Sequence, residues 1–195
     1  MGGVRLSYAI SQWLALATRF RPALEAFLKL RDEKEIAFRA NSSDFDSFMD
    51  VHTLNHNLDE DRRTIAIFKE TANTSPENAK RLYHVVEQIL VAEGTHQDCA
   101  PFLESKSRLN RSIDSYESAL QYEESSYRKD SPLRGYARKH FLHDSVRLIG
   151  LLALNNRHAE AVTVRERCIA VLDDDLFRGA LDNAVLGYLP KYEGF

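Results

Sequence analysis

The sequence predicts an all-α protein, an antiparallel helical array or bundle of about eight to nine helices. Three observations carry this expectation. Apolar residues recur three and four positions apart along most of the chain, the period of a helix with one buried face. No stretch alternates apolar with polar residues, and no hairpin dipeptide appears between such runs, so strands find no support. Asp144–Leu189 reads as helix, polar turn, helix, acidic turn, helix, and the rest of the chain resembles it in pattern.

Within that stretch, Leu148 to Leu154 is apolar all round and is expected to be buried on every side. Asn155-Asn156-Arg157 interrupts it with residues that helix ends tolerate. The second helix carries Ala161, Val164, Cys168, Val171 and Leu172 as its inward stripe. After Asp173-Asp174-Asp175, a third helix sets Phe177, Ala180, Leu181, Ala184 and Tyr188 on one face, and Pro190 closes it.

Upstream, Leu6, Ala9, Ile10, Trp13, Leu16, Ala17 and Phe20 form one helical face. Arg5, Arg19 and Arg21, the absence of acids and Ala15-Leu16-Ala17 also fit a targeting peptide. The regular period favours a packed helix instead. A myristoylation pattern fails because Leu6 stands where Ser or Thr is needed. Pro22 disfavours helix at Arg21, so the chain breaks around Arg19–Arg21 and continues as a second helix to about Arg39.

Asn41-Ser42-Ser43 is a loop, and Ser43 with Asp46 resembles a capping box. Helices follow from about Asp44 to His56 and from Asp59 to Thr71. Ser75-Pro76-Glu77 combines a cap, an N1 proline and a first-turn acid. The helix it opens turns Ala79, Leu82, Tyr83, Val86, Ile89 and Leu90 inward and ends at Gly94, with a loop over 95–101.

From Phe102 to about Ser126 only Phe102, Leu109, Ile113, Tyr116, Leu120 and Tyr127 make an apolar line. That seam predicts a long helix packed along one side, with most of its surface in water. Asp130-Ser131-Pro132 signals the next helix start.

With 195 residues the chain is expected to form a single domain over 1–195. Net charge is −3, and no segment concentrates base: 1–40, the most basic region, holds seven cations against four acids, and 131–195 nine against eight. A phosphate-tracking surface, and with it nucleic acid as a partner, is excluded. No apolar run reaches the roughly 18 residues of a membrane span. Cys99 and Cys168 lack metal-ligand spacing and read as buried thiols of a reducing compartment, hence a cytoplasmic location.

Two clusters hold candidate chemistry. His52 and His56, four apart on one helical face with Asp59 three further on, could bring two imidazoles and a carboxylate to one metal. His140, His143 and Asp144 lie on one helix. Leu133, Ala137, His140, Asp144, Leu148 and Leu151 fall in one stripe, which predicts a His140–Asp144 pair on the inner face with Arg147 at its edge. No glycine-rich phosphate loop exists, and the one E-x-x-H spacing, Glu93 with His96, spans Gly94, where a helix stops.

Leu148, Ala161 and the small Cys168, with the turn Asn156-Arg157-His158-Ala159-Glu160, resemble a tetratricopeptide helical hairpin over about residues 145–173. Ser145, Ile149, Leu152, Arg165 and Asp173 depart from that pattern. The resemblance implies stacked helices and a groove for peptides or partner proteins. The His143-Asp144 dipeptide is similar to the dyad of HD-type metal-dependent phosphohydrolases. That similarity implies a metal that activates water, with outer ligands from His84 or His96 and from Asp173 or Asp182. The expectation is a non-enzymatic protein-interaction or scaffold domain without cofactor, binding a protein partner or itself. The HD-like hydrolase is the alternative.

Overall fold

The computed structural model describes residues 10, 12–125 and 135–189, and these are helical without strands among the described residues. The chain divides into two compact units, Met1–Gly94 and Thr95–Phe195, each with buried side chains of its own. Length alone led to the expectation of one domain; the division falls at Gly94, whose φ of +72° ends a helix in the left-handed region.

In the first unit a short helix over 12–17 (α1) precedes α2, Arg21–Ala40. The break falls where Pro22 requires it, with Pro in the first turn of α2. Trp13 anchors the junction: its Nε1–H donates to the Ala23 carbonyl at 2.9 Å, and its ring meets Phe27 edge-on at 5.5 Å. Ile10 and Ala17 are buried, but Leu16 and Phe20 of the same sequence stripe stand half in water. Leu6 and Ala9 lie outside the described residues.

Helices α3 (Phe45–Asn57), α4 (Asp61–Thr74) and α5 (Pro76–Ala92) follow, with α2 packed on α3 and α4 on α5. The cap of α3 is Asp44 and not Ser43: its carboxylate accepts from the Ser47 backbone N–H at 3.1 Å and from the Ser47 hydroxyl at 2.7 Å. A carboxylate also suits the positive end of the helix. Ser75 occupies the N-cap of α5 without a side-chain hydrogen bond; its carbonyl receives the Ala79 N–H. All six residues expected inward on α5 are buried.

Ion pairs align α2 with α4. Arg31 pairs with Glu60 at 2.6 Å, Arg63 bonds Asp32 and Glu35 at 2.8 and 2.6 Å, and Arg39 reaches Glu70. These partners advance together along both helices, so α2 and α4 run in the same direction. Arg31 is 6% exposed, its aliphatic stem lying under the network it neutralises.

In the second unit, His96–Phe102 is a 3-10 helix where the sequence suggested a loop. Then come α6 (Ser105–Ser125), α7 (Tyr136–Leu154), α8 (His158–Val171) and α9 (Asp175–Val185). The long helix begins at Ser105, so Phe102 precedes it. Leu109 is its one buried side chain among the described residues, while Ile113, Tyr116 and Leu120 are half-buried. The single-line expectation therefore matches the accessibility. Tyr127, the start signal at 130–132, Leu133 and Pro190 lie outside the described residues. Glu123 of α6 accepts from the N–H groups of Gly135 and Ala137 at 2.9 and 2.7 Å, satisfying donors that the start of α7 leaves open.

Of the all-round apolar run, Leu148 to Ala153 is buried throughout and Leu154, at the end of α7, is half-buried. At the turn into α8, Asn156 adopts φ +60°, and Asn155 Nδ2 donates to the His96 and Leu151 carbonyls. On α8, Ala161, Val164 and Cys168 are buried while Val171 and Leu172 are half-exposed. Cys168 Sγ meets Ser145 Oγ at 3.4 Å, so small residues let α7 and α8 approach. Asp174 caps α9 through the Phe177 N–H. Phe177, Leu181 and Ala184 are buried and Ala180 is half-buried, whereas Tyr188 lies beyond the helix and is exposed.

Candidate functional site

A groove in the second unit, between α7 and α9, is large enough to hold another molecule. It encloses about 640 Å³, within the range of ligand and recognition pockets. One wall is Lys139, Leu142, His143 and Val146 of α7; Ala180 and Asn183 of α9 form the other. Tyr188 and Leu189 close one end. Leu189 crosses α7 at Gly150, where an added Cβ would overlap its Cδ2 and lie 3.0 Å from its Cγ. The glycine is needed for that close approach.

Two periodicities of α9 explain the groove. Phe177, Leu181 and Ala184 face the core, while Ala180 and Asn183, in register with the 87%-exposed Leu176, make a second face. On α7, Ala137, Phe141, Ser145 and Leu148 form the buried stripe, and Lys139, Leu142, His143 and Val146 line the adjacent groove side. Two faces on one helix are visible in the sequence only as an unusually broad apolar arc.

The His140–Asp144 pair exists, but not on the inner face. His140 Nδ1 lies 3.3 Å from Asp144 Oδ2, with the side chains 45% and 32% exposed. Ala137, Leu148 and Leu151 of the expected stripe are buried, but in the two turns between Ala137 and Leu148 the buried positions are Phe141 and Ser145, not His140 and Asp144. Asp144 Oδ1 also lies 3.8 Å from His143 Nδ1. Burial, together with the Arg147 guanidinium, holds the His143 pKa below its usual value; Asp144 opposes them. His143 therefore enters the groove as a neutral imidazole near neutral pH.

Three of the four outer ligands that the HD resemblance implies are engaged with other groups. His84 stacks on Phe45 at 5.7 Å in the first unit. In the second, Asp173 pairs with Arg178 and Asp182 with Arg165, while His96 Nδ1 is buried without a hydrogen bond.

In the first unit, His52 and His56 stand with ring centroids 6.0 Å apart. His56 Nδ1 lies 3.1 Å from both Asp61 oxygens. Asp61, at the start of α4, supplies the carboxylate that sequence spacing assigned to Asp59; Asp59 is exposed at φ +57° in the turn. His52 Nδ1 is buried without a hydrogen bond, and burial pushes its pKa down. Among the described residues no three His, Cys, Asp or Glu side chains gather so as to hold a metal ion. No described helix is long and apolar enough to cross a membrane. Comparison with family models, with curated proteins and with solved structures returned no match.

Proposed function

We propose that this chain is a non-enzymatic interaction domain that holds a protein partner in the groove between α7 and α9. The observation that carries the reading is the groove itself: an α7 wall two turns long facing Ala180 and Asn183 of α9, mostly apolar and ending at exposed Tyr188. Contiguous apolar surface with a polar rim is the usual mark of a protein-binding patch. The tetratricopeptide-like hairpin over 145–173 belongs to the same proposal. Its support is the close α7–α8 crossing at Ser145 and Cys168 and the helix α9 stacked after it. Cys99 and Cys168, both buried free thiols, support a reducing, cytoplasmic setting.

The test uses the environment-sensitive dye ANS and the full chain. Bright fluorescence that falls at least about tenfold in affinity in Ala180→Trp supports an open apolar groove. Equal dye binding by both proteins removes the groove from consideration. The alternative, an HD-like phosphohydrolase on His143 and Asp144, draws on the partial exposure of both side chains beside the groove. Elemental analysis of protein purified without chelator separates the readings: about one metal per chain, lost in His143→Ala, would replace the binding proposal with the hydrolase.

A further inference from the structure

We infer that the groove between α7 and α9 receives an amphipathic helix of a partner protein, with a carboxylate side chain at the end that lies over Lys139. This rests on the interaction-domain reading and adds the chemistry of the partner.

The backbone decides that the occupant is helical. Both walls are helices whose N–H and C=O groups are satisfied internally, so an extended peptide would find no ladder to join. A helix brings its own hydrogen bonds and needs only side-chain contact. Length agrees: the α7 wall from Lys139 to Val146 is eight residues, about 10 Å of helix. Two to three turns with apolar residues on one face fill that distance. Ala180 keeps the α9 wall low, so the occupant's backbone can lie close.

Charge decides the polarity of the partner. Lys139 is the one groove-lining residue with a formal charge, since His143 is neutral and Asn183 is an amide. The neighbouring cation Arg138 is bound to Asp174, but the exposed Lys139 makes no side-chain hydrogen bond or ion pair to a described residue, its backbone N–H going to the Gly135 carbonyl. An ammonium at the edge of apolar walls, with no counter-charge among the described residues, is completed by an acid on the occupant. At the far end, where Leu189 lies over Gly150, no lining residue is charged, so the acid belongs beside Lys139.

A phage library of helical peptides of about fourteen residues, four turns, is selected on the full chain, with three leucines fixed on one face and the rest random. The expected winners carry Asp or Glu at one end. They bind Ala180→Trp at least about tenfold more weakly and Lys139→Glu about fivefold more weakly. Asn183→Trp, at an exposed position, repeats the blocking test should Ala180→Trp lose its helical circular dichroism. Groove-dependent winners with no acid preference and no response to Lys139→Glu overturn the acidic partner while leaving the groove reading intact. No groove-dependent winner overturns both. Two further results overturn the helix: saturable dodecanoate binding in a chain that selects no peptide, and a dimer that Ala180→Trp dissolves.

Discussion

The rings of Phe141 and Phe177 lie stacked with centroids 5.5 Å apart, although the residues are 36 positions apart in sequence. Arg138 and Asp174, also 36 apart, pair one turn earlier. Two contacts with one offset mean that α7 and α9 run parallel, with α8 returning between them. Tyr116 of α6 stacks on the opposite side of Phe141 at 4.8 Å, so one ring joins three helices. Phe141→Ala should therefore destabilise the chain by about 3–5 kcal/mol, and Phe177→Ala by a similar amount. Denaturant melts of both variants check this; losses under about 1 kcal/mol would mean the stack is not a core contact.

Asp144→Ala should change stability by no more than about 0.5 kcal/mol, because its contact with His140 is a partly exposed pair. Ser145→Leu, one position on, should cost about 1–3 kcal/mol by overfilling the crossing with Cys168. Urea titration of the two variants side by side tests the phase of α7.

Stability should fall as the pH drops from about 7.5 toward 5. The buried imidazole of His52, and that of His143, have folded-state pKa values below the unfolded one. Below an unfolded histidine pKa of about 6.5, the unfolded chain then binds more protons than the folded chain, and stability rises with pH through that window. Above it the contribution is constant. His52→Gln should flatten the slope between pH 5 and pH 7 in pH-dependent melts; an unchanged slope would locate the effect elsewhere.

Gly150→Ala should act in opposite directions in two backgrounds. In the native chain the new methyl displaces Leu189 and offsets the gain in helix propensity. In Leu189→Ala the obstruction is gone, and the substitution should stabilise by up to about 1 kcal/mol. Thermal melts of the four proteins give the coupling, and additivity within about 0.3 kcal/mol would refute the close approach.

Much of the fold was legible in the sequence because burial follows local periodicity. Pro22 and Pro76 marked helix starts by removing a donor, and Leu148–Ala153 announced its burial by having no polar face. The thin apolar seam of α6 gave its wet surface. The cap of α3 was misplaced by one residue because Ser43 and Asp44 are both good caps, and only the backbone path chooses between them. His56 was assigned to Asp59 by spacing, but the turn puts Asp59 at φ +57° and brings Asp61 to the ring.

By itself the sequence determined most of the helices, their order and much of their inward stripes, since these depend on contacts within a few residues of one another. The groove was decided by tertiary structure alone. Lys139, Leu142, His143 and Val146 become one wall only because Phe141 on Phe177 holds α9 parallel to α7. Leu189 closes the end only because Gly150 lets it. Those relationships join residues 36 and 39 positions apart, and packing geometry between helices, not any local pattern, sets them.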